Sequence, residues 1–306
     1  MILVLAPITV VIPTYNRPKV LADTIRSYLA GKVLPSQILI VDQSPDPFDP
    51  LSIADSRGVG IVVLRSHKPS LTLARNIGTR ASINDVILFS DDDILVNEDS
   101  MAVLAQRMVD PERALVAGVT IAENAVYGSP KAPSLIANIA GTLLGLKKPW
   151  RKDGYVIKAT MRGRYPMPVR ESVPTEWAMG YFFCVRRSLM ERFDVWFDES
   201  LERYAYAEDL DFSMRYCSAA KREGLSCMLE PSIYVEHLAS TEWRTPSESA
   251  VRYFIDNRRH IARKIYPGQV WRIPVMTFAD VFFALSQMPY DPEYARLLLR
   301  MLFFKR

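Results

Sequence analysis

The spacing of apolar positions changes period repeatedly along the first ninety residues. Ile8–Ile12 is a continuous apolar and β-branched run closed by Pro13, the pattern of a strand buried on both faces. Helical spacing follows at Val20, Leu21, Ile25, Tyr28 and Leu29, with Asn16 as the cap, Pro18 in the first turn and Gly31 as the stop. Further strands are predicted at Gln37–Val41, Gly60–Leu64 and Val86–Phe89. Between the last two, Ser70 caps a helix whose apolar side is Leu71, Ala74, Ile77 and Ala81. This alternation predicts an α/β fold, a mostly parallel sheet flanked by helices.

The middle of the chain is less regular. Val116–Ile121 reads as another strand, Leu135–Leu146 as a small-residue apolar stretch, and Glu176–Arg187 as a strand entering a helix. A helix opens at Glu208-Asp209-Leu210-Asp211 and runs to about Ala220, carboxylates being favoured at a helix N-terminus. Short strands at Ser226–Leu229 and Ile233–Val235 precede a mainly helical last sixty residues.

Open parallel sheets bind ligands beyond the carboxyl ends of their strands. Those places hold Pro13-Thr14-Tyr15-Asn16, Asp42 and Ser90-Asp91-Asp92-Asp93. Consecutive carboxylates repel one another unless a cation or donors neutralise them. At a strand end Asp91 and Asp93 point to the same side, where Mg²⁺ or Mn²⁺ could be held together with a phosphate ligand. The bland alternative for an acidic triplet is a solvated turn.

Charge adds detail. The chain of 306 residues carries a net +4, too weak a bias to imply a nucleic-acid partner. The distribution is uneven: 143–172 and 243–306 are basic, the first holding the loop Lys147–Arg170, and the remainder is acidic. The composition, 49% hydrophobic and 24% charged, excludes a disordered or disulfide-scaffold protein. Cys184, Cys217 and Cys227 lack metal or redox spacing and fit buried thiols in a reducing compartment. The apolar N-terminus has no basic n-region and reads as a buried strand rather than a signal peptide.

Seven stretches occur together and in order: VVIPTYNRP (Val10–Pro18), ILIVDQS (Ile38–Ser44), LARNIG (Leu73–Gly78), ILFSDDD (Ile87–Asp93), GYFFCVRR (Gly180–Arg187), AEDLDFSMR (Ala207–Arg215) and VEH (Val235–His237). With them the chain resembles the family 2 glycosyltransferases of the GT-A fold. The resemblance implies a catalytic domain over residues 1–242, and transfer of a sugar from a nucleoside-diphosphate donor, UDP by default, with inversion. It implies that Asp42 meets the nucleobase, that Pro13 and Tyr15 line its pocket, that Arg75 helps position base or diphosphate, and that Asp91 and Asp92 lie at the donor. Asp93, Asp91 and His237 would hold the metal. The same resemblance makes Asp209 the base that takes the acceptor proton, with Glu208 as orienter or acceptor-binding neighbour. The usual VDDGS is VDQS here, with Gln43 in place of the second aspartate.

Other residues were weighed from chemistry alone. Sugar rings stack on aromatic faces, so Trp177 is a candidate acceptor wall, and Gly180 permits close backbone approach. Asp211 suits a structural pair with Arg215 four residues on. Arg186 and Arg187 are candidate phosphate contacts, one of them structural. The basic loop Lys147–Arg170 could cover the diphosphate or meet an anionic acceptor.

The segment 243–306 mixes Phe and Leu with Arg and Lys at helical spacing, which suits a membrane interface or another subunit. The expected enzyme is therefore cytoplasmic and peripheral at the inner face of the cell membrane, with a glycan or lipid-linked acceptor. Two rivals differ in class. A sugar nucleotidyltransferase would need a Gly-rich loop after the first strand, where this chain has none between Pro13 and Pro18. An inactive nucleotide-sugar or glycan-binding subunit would have no reason to keep Asp91, Asp93 and Asp209.

Overall fold

The computed structural model describes residues 4–304 except 54, 121–140, 143, 149, 167, 202–204 and 239–246. In chain order the elements are β1 (Val4–Thr14), α1 (Pro18–Leu29), β2 (Val33–Asp42), β3 (Gly60–Arg65), α2 (Leu71–Ala81), β4 (Val86–Ser90), β5 (Ile94–Val96), α3 (Ser100–Met108) and β6 (Arg113–Thr120). There follow β7 (Tyr155–Ile157), β8 (Arg162–Arg164), β9 (Val173–Pro174), β10 (Phe182–Arg186), α4 (Arg187–Phe193), α5 (Glu208–Arg222), β11 (Ser226–His237), α6 (Ser247–Ile265), α7 (Arg272–Gln287) and α8 (Pro292–Phe303).

The main sheet runs β3-β2-β1-β4-β10-β6-β11-β5, and β9 also pairs with β11. Its first four strands are parallel, as predicted. β10 enters antiparallel between β4 and β6, and β11 lies parallel to β6. The central strands are apolar on both faces because both are covered. In β1, Val10 and Ile12 join one core cluster and Val11 the other; in β4, Leu88 faces the first and Ile87 and Phe89 the second. Gly78 is where α2 meets β1: a Cβ there would lie 2.3 Å from Val11 Cγ1.

Several local expectations change. Asn16 does not cap α1; Arg17 holds that position without a side-chain cap bond, and Asn16 sits at φ 54° with its N–H on Ser44 Oγ. The C-terminal end is as expected: the helix runs to Leu29, Ala30 is the C-cap and Gly31 follows. The two short strands at 226–235 are one strand whose register shifts between Leu229 and Tyr234, around Pro231, a residue that cannot donate to a ladder. Most of the stretch Leu135–Leu146 and the domain boundary at 242/243 lie outside the described residues. All three cysteines are buried and free.

The C-terminal helices pack on the body. Val251, Ile255, Ile261 and Ala262 of α6 are buried, so the apolar side read as membrane-facing is core instead. Ile261, Ala262 and Met276 join Leu210 and Met214 of α5 in one cluster. Asp280 of α7 is wholly buried and accepts from Arg258 Nη2 at 2.7 and 2.8 Å and from Arg162 Nη2 at 2.6 Å. Arg258 also donates to Thr160 O, and Arg272 to Lys158 O. These arginines fasten the β7–β8 hairpin to the helical layer. The middle of the basic loop, Tyr155–Arg164, is thus a packed hairpin, and Arg151 before it is paired with Asp153 and Glu176. Removing one member of such a buried group strands the other charges. We expect Asp280→Asn to destabilise the protein by about 3–5 kcal/mol in denaturant unfolding; a loss below about 1 kcal/mol, the worth of an exposed pair, would contradict the burial.

Candidate active site

The acidic triplet follows the end of β4 and bends through Asp92 and Asp93 into β5, which sends its side chains in different directions. Asp92 turns inward: it is buried, with Oδ2 accepting from Thr14 Oγ1 at 2.7 Å and Oδ1 from Arg17 Nη1 at 2.6 Å. Burial pushes its carboxyl up to about 7. The expected donor contact of Asp92 is therefore replaced by an internal one. Asp91 and Asp93 share the other side, as predicted.

Pairing of β11 with β5 sets His237 opposite Ile94, next to Asp93. His237 Nε2 lies 3.3 Å from Asp93 Oδ1 and 3.8 Å from Asp91 Oδ2. The remaining oxygen of each carboxylate is held by an arginine. Arg17 Nη2 donates to Asp93 Oδ2 at 2.9 Å, and Arg75 Nη2 to Asp91 Oδ1 at 3.3 Å. One oxygen of each aspartate is thus left aimed at the imidazole. Ligand atoms of Asp91, Asp93 and His237 lie within 4.8 Å of one another. Two carboxylate oxygens and one imidazole nitrogen, each carboxylate oriented by a further group, suit Mn²⁺ or Mg²⁺. Against the burial that opposes its ionisation, His237 and Arg75 hold the Asp91 carboxyl below its usual range.

Arg75 joins this trio to the acidic helix. It is almost fully buried, beside the Phe197 ring at 5.2 Å, with Nη1 on Glu208 Oε1 and Nη2 on Gly180 O at 2.9 Å. Its guanidinium thus bridges three protein groups, Glu208, Asp91 and the Gly180 carbonyl. Ala207, at φ 68°, turns the chain into α5. Asp209 beyond it is half-buried, its Oδ2 accepting from Gly180 N at 2.8 Å and Oδ1 from Leu210 N at 2.7 Å. Burial raises the Asp209 carboxyl above its ordinary value and that of Glu208 well above. Glu208 points inward to Arg75 and the Asp209 N–H, which suits an orienter and leaves no open face for an acceptor. A Cβ on Gly180 would stand 3.2 Å from Arg75 Nη2 and 3.3 Å from Glu208 Oε1, so the glycine is what lets these groups meet.

The other expected residues separate into placed and displaced. Pro13, at the end of β1, is buried beside Val41, and Tyr15 is half-exposed in the following loop. Asp42 is fully buried: Oδ1 accepts from Ser44 N, and Oδ2 from Phe48 N and from Arg65 at 3.1 Å. These bonds shape the loop after β2. Gln43 beside it accepts the Ser70 N–H. Trp177 is buried under the hairpin, 4.7 Å from the Tyr165 ring, with Nε1 on Arg164 O and Gly163 against its face. It belongs to the core cluster that also holds Leu210, Met214 and Ile261. Arg186 and Arg187 donate to carbonyls of Met108, Asp110, Arg113 and Ser82. They lie where β10 pairs with the start of β4, the opposite end from the triplet, and both are structural. Asp211 pairs with Arg215 as expected and also takes Lys264.

Arg17 and Thr14 were not singled out as functional from the sequence. Their signal was present: both belong to the loop after β1, beyond a carboxyl end. Tyr181 was missed too; its carbonyl accepts the Asp91 N–H and its ring lies 6.1 Å from His237.

Comparison with known proteins bears on the fold and the family. No curated protein matches the sequence. Among solved structures, S. aureus TarS superposes with a TM-score of 0.54 at 16% identity, covering 92% of this chain and 44% of TarS. A mannosyltransferase from Pyrobaculum calidifontis, PcManGT, in complex with GDP-Man and Mn²⁺, has a TM-score of 0.54 at 14% identity, covering 98% of this chain and 88% of its own. GalNAc-T7 with UDP, GalNAc and Mn²⁺ scores 0.54 at 15% identity, covering 94% of this chain and 57% of its own. The chain thus spans about half the length of TarS and GalNAc-T7, and at these identities the likeness is one of fold, the GT-A fold. The sequence profile described as glycosyl transferase family 2 matches residues 9–170, which include Arg17, Arg75, Asp91 and Asp93. With more than half of the chain matched and the acidic cluster at the carboxyl edge of the sheet, the protein belongs to glycosyl transferase family 2.

Proposed function

We propose that this glycosyltransferase inverts the anomeric centre as it moves a sugar from a nucleoside-diphosphate donor to a hydroxyl of a glycan or lipid-linked acceptor, in polysaccharide or glycoconjugate biosynthesis at the cytoplasmic face of a membrane. The observation that carries it is the two arginine-held aspartates, each with its remaining oxygen turned to His237, joined through Arg75 to Asp209.

Asp209 takes the proton from the acceptor hydroxyl as its oxygen bonds to the anomeric carbon and the bond to the diphosphate oxygen breaks. The bonds from Gly180 N and Leu210 N fix the carboxylate, and burial raises its basicity. Glu208 and Arg75 hold each other and keep the Gly180 carbonyl in place. Asp91, Asp93 and His237 would hold a divalent cation, Mn²⁺ or Mg²⁺, which supplies positive charge for the departing diphosphate. Proteins of this fold bound to GDP-Man and to UDP both carry Mn²⁺, which supports the metal and leaves UDP as a working choice of donor.

Calorimetric titration of nucleoside-diphosphate sugars, with and without Mn²⁺, tests the reading. Binding of one donor only in the presence of metal, with slow release of nucleoside diphosphate, is expected. Tight binding with no turnover for any acceptor would favour an inert binding subunit.

A further inference from the structure

Helix α7 is reversed relative to an ordinary surface helix. Its two charged residues, Arg272 and Asp280, are buried. Its outer side is apolar: Trp271, Phe278 and Leu285 are 50%, 56% and 56% exposed. They recur every seven residues, so they form one straight stripe along the helix. Val281 and Phe282 lie half-exposed beside that stripe, and no charged side chain of α7 is exposed. The stripe continues onto α8. Phe303, 61% exposed, closes an open cleft of about 590 Å³ with Ile273, Pro274, Thr277, Phe278 and Val281. Apolar surface of this extent on a water-soluble body marks a docking surface.

The charges beside it identify the partner. Arg296 and Arg300 of α8 are exposed and, at about 100° per residue, lie on the same side of that helix as Phe303; Arg300 also pairs with the exposed Glu248 of α6, which leaves Arg296 as the chief cation at this border. The exposed acids of α8, Asp291 and Glu293, are confined to its first turn. An apolar stripe bordered by arginine matches a layer of acyl chains bordered by anionic headgroups. A second copy fits less well, because two-fold packing of this face would set like charges against one another. Among the described residues no helix is long and apolar enough to cross a membrane, so the contact would lie in the plane of the surface.

We propose that the outer face of α7, with Phe303 and the α8 arginines, docks on an anionic bilayer at the headgroup–acyl boundary. This extends the membrane-proximal acceptor of the proposed function to a definite surface, and its test does not use catalysis, so the two readings fail separately. Phe283, Leu297 and Leu298 are packed into the cluster between α6, α7 and α8, and the exposed set is Trp271, Phe278, Leu285 and Phe303.

The experiment is co-sedimentation of the full chain with vesicles of phosphatidylcholine alone and with added phosphatidylglycerol. The chain is expected to sediment with the anionic vesicles. Phe278→Ser combined with Leu285→Ser should lower the bound fraction by at least about tenfold, each exposed side chain losing its transfer into the acyl layer. The unfolding midpoint should hold, since neither side chain is core. Arg296→Glu should weaken binding to anionic vesicles and leave neutral vesicles unaffected. Binding that the serine pair does not change, or a chain that stays in the supernatant with both vesicles, overturns the proposal. A dimer in sedimentation velocity that Phe278→Ser dissolves would assign the face to a second copy and overturn it equally.

Discussion

Asp209→Asn is expected to lower the rate of sugar transfer by about 10²–10⁴-fold, the usual worth of a positioned general base. The amide has nearly the same shape but cannot accept the acceptor's proton. Donor affinity should stay close to the wild-type value, because Asp209 touches Gly180 and Leu210 rather than the aspartates at the metal trio. The substitution is not structurally silent. Both carboxylate oxygens accept backbone N–H bonds, and an amide can accept only one of them, so a stability loss of about 1 kcal/mol should accompany the rate loss. Thermal unfolding separates this from the catalytic effect. The pH profile gives a second readout. A base works only when deprotonated, and burial raises the Asp209 carboxyl. Wild-type turnover should therefore fall with decreasing pH from a point above the ordinary carboxylate range, and that limb should vanish in the variant. Near-normal turnover in Asp209→Asn would remove the assignment.

The second large effect is expected at Asp93. Its Oδ1 faces His237 while Arg17 holds Oδ2. Asp93→Ala removes a carboxylate that no neighbour can replace, since Asp92 points inward to Thr14. Calorimetry of Mn²⁺ alone should then show at least about a hundredfold loss of affinity, comparable to or larger than that of removing a supporting group. Donor affinity should lose its dependence on added metal. Exhaustive chelation of the wild-type protein should abolish transfer, and Mn²⁺ or Mg²⁺ should restore it. Undiminished activity after chelation would sink the metal reading while leaving the Asp209 experiment unaffected. The two tests therefore probe separate parts of the site.

Much of the frame is legible along the chain. Continuous apolar runs and period-3.6 stretches mark β1, α1, β2, β3, α2 and β4 to within a few residues, because β1, β2 and β4 are covered on both faces and so are apolar along their length. The short β5, α3 and the β7–β8 hairpin were not anticipated. A three-residue strand carries too few positions to show a period. Residue type and motif position say little about local packing: Trp177 packs under the hairpin, and Asp42 satisfies the loop after β2.

Residue order alone puts Asp91 and Asp93 after a strand at the carboxyl edge of a parallel sheet and Asp209 in the first turn of a helix. Only the tertiary structure decided which atoms of those residues act. His237 arrives through the β11–β5 pairing, and Arg17 and Arg75 each engage one carboxylate oxygen and leave the other turned toward the imidazole. The same holds for the C-terminal helices. Their basic, apolar composition is evident from residue order, but which side is buried depends on what packs against it. Asp280 draws Arg162 and Arg258 inward, and that turns the aromatic stripe of α7 out. Periodicity is a local property of the chain, whereas a partner contributed by a distant segment is not, and in this protein the distant partners set the chemistry.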